Sequence, residues 1–101
     1  MRRYILAPSA ALDLAEIWLY LKAQAGVEVA DSVEHAIRAK IVLLAVAPGA
    51  GHWRRDLTEE PVKFFAVYSY LVVYRPETAP LQVVAILHGD RDVGQLLSTR
   101  F

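Results

Sequence analysis

The chain lacks cysteine, long apolar runs and an excess of charge of either sign. The absence of cysteine from its 101 residues excludes disulfides and thiolate metal sites and suits a reducing cytoplasm. No stretch approaches the ~18 uninterrupted apolar residues of a membrane span, and the apolar run after Arg3 is too short for a signal peptide. We therefore expect one soluble, cytoplasmic domain over residues 1–101, near the common domain size.

Charge is balanced throughout the chain. Eleven basic and eleven acidic residues give a formal net charge of zero at pH 7, and each half of the chain is balanced by itself. No bulk field attracts a polyanion, so direct binding of nucleic acid or of a membrane is not expected. His35 and His52 are too scattered for a metal site. The sequence therefore predicts no metal and no cofactor.

Apolar residues are in excess. They make up 55 % of the sequence, and exchanging the five Tyr for the five Gly, to match the usual definition, leaves that fraction unchanged. The usual fraction is ~45–50 %. Two explanations stay open, namely a surface that a partner covers and a set of alanine-rich helices, since 15 residues are Ala.

The first half of the chain has the 3.6-residue apolar period of helices. Pro8 suits a first helical position and Gly26 a helix end, which predicts helix 1 over about 8–25. Helix 2 is predicted over about 28–47, before Pro48, and the short connection implies an antiparallel hairpin. The residues predicted to face the core are Ala11, Leu14, Trp18, Leu21 and Ala25 of helix 1 and Val29, Val33, Ile37, Ile41 and Leu44 of helix 2. The residues predicted to face water are Asp13, Glu16 and Lys22 of helix 1 and Glu34, Arg38 and Lys40 of helix 2.

In the second half of the chain the apolar period changes from 3.6 to 2. Strands of β-branched and aromatic residues are predicted over 62–68, 69–75 and 81–88. Their linkers are too short for parallel crossovers, so these strands form an antiparallel meander. A short strand is predicted over 2–7 and a short final helix over 92–98. The order β-α-α-β-β-β predicts an α+β fold in which the antiparallel helical hairpin packs on an antiparallel β-sheet.

The turns between the strands predict how the strands pair. A tight turn at Tyr68-Ser69 and a loop over 76–80 place directly opposed residues on the same face. The aliphatic face, which we expect the helices to cover, consists of Val62, Phe64, Ala66, Leu71, Val73, Leu81, Val83, Ala85 and Leu87. The other face consists of Lys63, Phe65, Val67, Tyr70, Val72, Tyr74, Gln82, Val84, Ile86 and His88. This second face is too apolar for water and too polar for a core, so we expect a partner chain to lie across it.

Sequence motifs that together span nearly the whole chain match one known family in order. The early motifs are Pro8, then Asp13-Leu14-x-x-Ile17-Trp18-x-Tyr20, then Pro48-x-x-Gly51 and Arg54/Arg55-x-Leu57. The most specific motifs are Ser69-Tyr70-Leu71-Val72-Val73-Tyr74-Arg75 and Ile86-Leu87-His88-Gly89-x-Arg91-Asp92. The chain resembles the ParE/RelE superfamily of toxins from type II toxin–antitoxin systems, and its ParE-like branch in particular.

This resemblance implies a partner and a target. The partner is a cognate, ParD-like antitoxin, whose disordered tail folds on binding and either wraps the helical hairpin or adds to the sheet. In ParE-like members the toxin acts on DNA gyrase and blocks replication. In RelE-like members the same fold cleaves mRNA on the ribosome.

Comparison with RelE-like nucleases favours a toxin that is not an enzyme. In those nucleases an arginine directly follows the first tyrosine of the Tyr-x-x-x-Tyr strand, and here that position is Leu71. Arg75 lies roughly 13 Å further along the strand and does not substitute for it. Leu97 stands where a C-terminal tyrosine is expected, and only Lys63 remains of a pair of lysines. Arg91 does match the turn arginine of the nucleases.

Three functions follow, in order of preference. The first is a non-enzymatic poison of DNA gyrase, the second a ribosome-dependent endoribonuclease that uses Lys63, His88 and Arg91, and the third an inert antitoxin-binding remnant. The residues expected to contact the target or partner are Trp53, Arg54, Arg55, Lys63, Tyr70, Tyr74, Arg75, His88 and Arg91.

Structural roles are the alternatives for four of these residues. His88 then caps a strand end, and Arg91 pairs with a neighbouring aspartate or a helix terminus. Arg75 then donates hydrogen bonds to the loop over 76–80. Trp53 either anchors a partner or covers the edge of the core.

Overall fold

A computed structural model describes residues 3–101 and confirms the α+β fold. Met1 and Arg2, the latter being the first residue of the strand predicted over 2–7, lie outside the described residues. The elements in chain order are β1 (Tyr4–Leu6), α1 (Pro8–Ala25), α2 (Val27–Val46), a 3-10 turn (Pro48–Ala50), β2 (Lys63–Val67), β3 (Tyr70–Arg75), β4 (Leu81–His88) and α3 (Val93–Ser98). The structure thus contains every element that the sequence predicts.

A single glycine joins the two long helices. Pro8 begins α1, where its missing N–H leaves no hydrogen bond unmade. Gly26 has a φ of 95°, which L side chains rarely adopt, so α1 ends and α2 begins around the same residue. Trp18 Nε1 donates to Asp31 Oδ1 at 2.8 Å and ties the two helices together. Within residues 3–101 neither helix combines the length and the apolar character needed to cross a bilayer.

The four strands form one mixed sheet in the order β1-β4-β3-β2. β2, β3 and β4 are the predicted antiparallel meander, whereas β1 pairs in parallel with β4, so the sheet is not purely antiparallel. The chain leaves β1, covers one face of the sheet as the helical hairpin and returns at the opposite edge as β2. β1 is short and covers β4 only as far as the pairing of Leu6 with Val83. Beyond Val83 the outer edge of β4 lies beside no strand of residues 3–101.

The helical hairpin covers the face of the sheet that we expected to be open. The turn at Tyr68-Ser69 is as predicted, since Val67 pairs with Tyr70. The prediction of the buried face is nevertheless wrong, because both faces are apolar and alternation alone does not distinguish them. The sheet residues that pack under the hairpin are Phe65, Val67, Tyr70, Val72, Tyr74, Leu81, Val83 and Ile86.

A β-bulge in β4 also changes the predicted register. Val73 pairs with Ala85 but Tyr74 pairs with Val83, so Val84 is an extra residue without a partner. The bulge reverses the direction of the side chains halfway along β4, which strict alternation does not anticipate. The predicted aliphatic face is therefore divided, with Leu81 and Val83 on the side of the hairpin and Ala85 and Leu87 on the other side.

The second face of the sheet is covered by the C-terminal helix. Val93 and Leu97 of α3 are buried against it, and Leu57 from the loop before β2 packs beside them. The sheet residues of this second core are Val62, Phe64, Val73, Val84, Ala85 and Leu87, with Leu71 at its margin. The prediction that a partner chain lies across an open sheet face is therefore wrong, because the protein's own helices cover both faces.

Exposed apolar surface lies instead on the outside of the hairpin. In α1 the buried side is formed by Ala10 and Leu14, whereas Ala11 and Ala25, which were predicted to be buried, are exposed. In α2 Val29 is also exposed, against the prediction. The large apolar residues exposed on the hairpin are Leu12, Leu19, Tyr20, Val27, Val29, Val42, Leu43 and Val46. Most of the large apolar residues that are exposed within residues 3–101 therefore lie on the two helices, and the others are Ile5, Trp53, Tyr68 and Phe101.

Candidate functional site

The structure divides the predicted contact residues between two ends of the sheet. His88 pairs with Tyr70 at one end, and Lys63 pairs with Tyr74 at the other. Tyr70 and Tyr74 are four residues apart on β3, which is roughly 13 Å. His88 and Arg91 lie at the Tyr70 end. At the other end are Arg75, which follows Tyr74, and Lys63, which contacts Trp53 of the loop that also contains Arg54 and Arg55. Lys63, His88 and Arg91 are therefore not brought together as a nuclease site requires.

Trp53 is the centre of a cationic cluster beside β2. The residue is 45 % exposed, with the guanidinium of Arg55 at 4.8 Å and Lys63 Nζ at 4.9 Å from the ring centroid. Arg55 also donates to the backbone oxygen of Glu59 at 3.0 Å, and Lys63 donates to that of Gly49 at 3.4 Å. Exposed cation–π contacts are worth about 0.5–1 kcal/mol each. The cluster therefore orders its own loop as well as presenting an aromatic surface.

Arg54 and Arg75 each have an intramolecular partner. Arg54 makes a bidentate ion pair with the carboxylate of Asp56 at 2.9 and 2.7 Å. These hydrogen bonds hold the pKa of Asp56 below its usual value. The guanidinium of Arg75 stacks on the ring of Phe101 at 5.4 Å, instead of donating to the loop over 76–80.

Tyr74 supports the fold. It is fully buried, and its hydroxyl donates to the backbone oxygen of Pro48 at 2.7 Å and accepts from the N–H of Gly51 at 2.9 Å. Burial raises the pKa of this hydroxyl, which favours the protonated form that donates to Pro48. Tyr74 therefore fixes the loop after α2 and presents no surface to a partner.

A cleft opens beside Tyr70, at the other end of the sheet. This cleft, which we call the Tyr70 cleft, has a volume of about 370 Å³ and is lined by Asp13, Glu16, Ile17, Tyr20, Tyr70, His88 and Arg91. The ring of Tyr70 meets His88 edge-on, with the centroids 5.4 Å apart. Burial, with Tyr20 nearby, raises the pKa of Tyr70. The cleft thus combines two phenols, an imidazole and groups of both charges.

The hydrogen bond of His88 defines what its ring can do. Its Nδ1 accepts from the backbone N–H of Asp90 at 3.1 Å and lies 3.7 Å from the carboxylate of the same residue. In the neutral imidazole this arrangement places the proton on Nε2. The second nitrogen is therefore a hydrogen-bond donor and not the acceptor that a general base requires.

Arg91 is the arginine of the cleft whose charge is not compensated by the fold. It is exposed, and within residues 3–101 its guanidinium has no hydrogen bond, ion pair or ring contact. The predicted alternative, a pair with a neighbouring aspartate, is not formed: Asp92 instead caps α3 by accepting from the N–H of Gln95. The side chain lines both the Tyr70 cleft and the surface beside α3.

Asp13, which lines the cleft, is paired with Arg100. The two residues form a bidentate ion pair at 2.8 and 2.9 Å, and both side chains are largely buried. Asp13 also accepts from the N–H of Ile86 at 3.0 Å, and Arg100 donates to the oxygen of Val84 at 3.3 Å. These backbone groups belong to the part of β4 that β1 does not cover. The pair therefore provides hydrogen-bond partners for backbone groups at the uncovered edge of β4. Its hydrogen bonds raise the pKa of Arg100.

Sequence reasoning did not include three acidic or aromatic members of the cleft. Asp13 was expected to face water, and neither Glu16 nor Tyr20 was named as a contact residue. Their spacing is the signal that identifies them, since residues three, four and seven positions apart share one flank of a helix. Arg100 has no such signal, because its partner is 87 positions away.

A second concave surface lies between the helices on the outside of the hairpin. This surface, the α1–α2 groove, has a volume of about 410 Å³. Its residues are Ala11, Leu14, Ala15, Trp18 and Leu19 of α1 and Glu34 and Arg38 of α2. Glu34 and Arg38, one helical turn apart, form an ion pair at 3.0 Å. Arg38 also donates to the hydroxyl of Tyr4 at 3.0 Å, which fixes the charged side of the groove.

Two positions of the nuclease comparison are occupied by core residues. Leu71 packs at the margin of the second core, on the side of the sheet away from Tyr70, and Leu97 is buried there within α3. Both are apolar among apolar neighbours and present no group to a phosphate. Within residues 3–101 no three His, Asp or Glu side chains are grouped as metal ligands.

The fold is that of a solved toxin–antitoxin protein. A chain from a structure described as the chromosomal ParDE toxin–antitoxin system from P. aeruginosa superimposes with a TM-score of 0.71. The match covers 87 % of this chain and 96 % of that one at 21 % sequence identity, and at that identity it shows the shared fold. A comparison with curated proteins gave no significant match.

The family is shown by the sequence itself. The family model for the ParE toxin of type II toxin–antitoxin systems matches residues 4–93, from β1 to the start of α3. The chain therefore belongs to the ParE toxin family, and the resemblance to the ParE-like branch is confirmed.

Proposed function

We propose that this toxin is neutralised by a cognate, ParD-like antitoxin that binds the α1–α2 groove, and that it poisons DNA gyrase by binding instead of catalysis. Both events take place in the cytoplasm. The observation that carries the proposal is the apolar outer surface of the hairpin in a chain of the ParE family. Leu19, which lines the groove, is 59 % exposed. Leu12 and Val46, elsewhere on the hairpin, are 60 % and 62 % exposed.

The form of this surface favours a helical segment of the antitoxin. The groove is lined by two helices, with the exposed Ala11 and Ala15 on α1 and the Glu34–Arg38 pair on α2. An amphipathic helix places apolar side chains in such a groove at positions i, i+3, i+4 and i+7. A tail that is disordered when free would gain its order from this contact.

The arrangement of the polar residues favours binding over RNA cleavage. Lys63 lies at the other end of the sheet from His88, and the free nitrogen of His88 is a donor. Cleavage of RNA needs a base, an acid and cations around one phosphate. These groups do not converge, which supports a toxin that acts by occupying its target.

The proposal is tested by inducing the toxin alone and with its antitoxin. We expect growth arrest with filamentation and DNA damage, reversed when the antitoxin gene is co-expressed, and inhibition of supercoiling when the purified toxin is added to DNA gyrase. Rapid arrest of translation with cut mRNA would instead identify a nuclease. Unaffected growth would identify an inert antitoxin-binding remnant.

A further inference from the structure

We propose that the Tyr70 cleft binds a carboxylate side chain of the target protein, and that this site is separate from the antitoxin groove on the other flank of α1. The inference rests on the proposed function, because it assigns the target and the antitoxin to two surfaces of one toxin. It adds the residues that contact the target and the chemistry that they recognise.

The two surfaces use opposite flanks of the same helix. The cleft takes Asp13 and Ile17 from α1, whereas the groove takes Ala11 and Ala15. The two sets are offset by two positions, and two positions turn a helix by about 200°. A segment that fills the groove therefore leaves the cleft open, and the reverse also holds.

The cleft presents hydrogen-bond donors that the fold does not use. Arg91 is exposed and has no partner among residues 3–101, whereas Arg100 is held by Asp13. His88 contributes its Nε2–H, since Nδ1 is occupied by the N–H of Asp90. The Tyr70 cleft thus contains a charged donor, the guanidinium of Arg91, and a neutral donor, the Nε2–H of His88. A carboxylate can accept hydrogen bonds from both.

The charges of the cleft favour a protein over a nucleic acid. Glu16 is an exposed acidic residue of the same cleft, so the cleft is not uniformly basic, and the carboxylate of Asp13 is paired with Arg100. The net charge of the chain is zero. A nucleic acid is bound mainly through many phosphate contacts, which this surface does not offer. A protein segment needs only one carboxylate beside the apolar surface of Ile17.

The test measures binding to purified DNA gyrase holoenzyme and to the purified cognate antitoxin in parallel. We expect Arg91→Ala to weaken gyrase binding at least about tenfold and to leave antitoxin binding within about twofold. Leu19→Glu, which places a carboxylate in the groove, gives the opposite pattern. Tyr20→Ala removes an exposed ring from the cleft and repeats the pattern of Arg91→Ala. Melting temperatures show that each variant is folded.

The outcomes separate this inference from the proposed function. Unchanged gyrase binding and growth arrest with Arg91→Ala overturn the cleft, and so does an equal loss of antitoxin binding. Binding of a single-stranded RNA oligonucleotide that depends on Arg91 also overturns it, because the occupant is then a nucleic acid. If the parent toxin arrests growth without binding gyrase, the gyrase proposal fails. The cleft is then supported if Arg91→Ala relieves the arrest with unchanged antitoxin binding, and overturned if the arrest persists.

Discussion

The hydroxyl of Tyr74 meets the backbone N–H of Gly51 at 2.9 Å, although 23 positions separate the two residues. The contact joins the middle of the sheet to the loop that follows α2. It also leaves no room at Gly51, where an added Cβ would overlap the Tyr74 hydroxyl and crowd the backbone oxygen of Phe64. The position of the loop therefore depends on the absence of a side chain at Gly51 and on the buried hydroxyl of Tyr74.

We predict that Gly51→Ala destabilises the protein by about 1–3 kcal/mol, the usual cost of overpacking a well-packed site. The methyl group would displace the Tyr74 ring or the backbone beside it. Gly49→Ala is the matched control in the same loop, because a Cβ there meets nothing within 4 Å. Urea denaturation measures both, and equal stabilities of the two variants would contradict the prediction.

Tyr74→Phe is predicted to cost about 1–2 kcal/mol of unfolding free energy, since it leaves the oxygen of Pro48 and the N–H of Gly51 without their partner. Tyr70→Phe makes the same change on the same strand, but within residues 3–101 the Tyr70 hydroxyl has no hydrogen bond. We expect its stability to lie within about 0.5 kcal/mol of the parent. A larger loss for Tyr70→Phe than for Tyr74→Phe would refute this account.

Removal of Arg100 is predicted to destabilise the protein by roughly 3 kcal/mol, because it leaves the carboxylate of Asp13 buried without a counter-ion. A double-mutant cycle with Asp13→Asn and Arg100→Gln isolates the pair. We expect the double variant to lose at least about 1 kcal/mol less than the sum of the single variants. Strictly additive losses would mean that the ion pair contributes nothing of its own.

Antitoxin binding is predicted to depend on the residues of α1 that line the α1–α2 groove. Ala15→Glu fills the groove with a long charged side chain, and we expect it to weaken the antitoxin complex at least about tenfold, or about 1.4 kcal/mol. Ala23→Glu is the matched control, because Ala23 is also exposed on α1 but does not line the groove. Isothermal titration with the purified antitoxin gives both affinities. If the two variants bind equally well, the antitoxin uses another surface.

Local sequence signals predicted the elements of this fold. Pro8 and Gly26 set the start of α1 and the turn of the hairpin, and the change of apolar period located the three strands of the meander. The motifs around Tyr70 and His88 predicted the family. These signals act over a few residues, through backbone geometry and periodicity, so they are present in the sequence whatever the rest of the chain does.

The candidate site was only partly predictable. His88, Tyr70 and Arg91 were named from the sequence and do meet at one cleft. Tyr74 was named with them, but it is buried and its hydroxyl has two backbone partners inside the fold. A strand that ends in Tyr-Arg does not reveal such partners, so the sequence did not predict this role.

The tertiary structure decided which face of the sheet the hairpin covers, where β4 bulges and which charge neutralises Asp13. Both faces of the meander are apolar, so the choice between them depends on how the hairpin and α3 divide the sheet, and alternation does not contain it. The pairing of Asp13 with Arg100 joins residues 87 positions apart. Contacts of this kind form only when the whole chain is folded. They are not predictable from the sequence, because the residues around one partner contain no signal for the other.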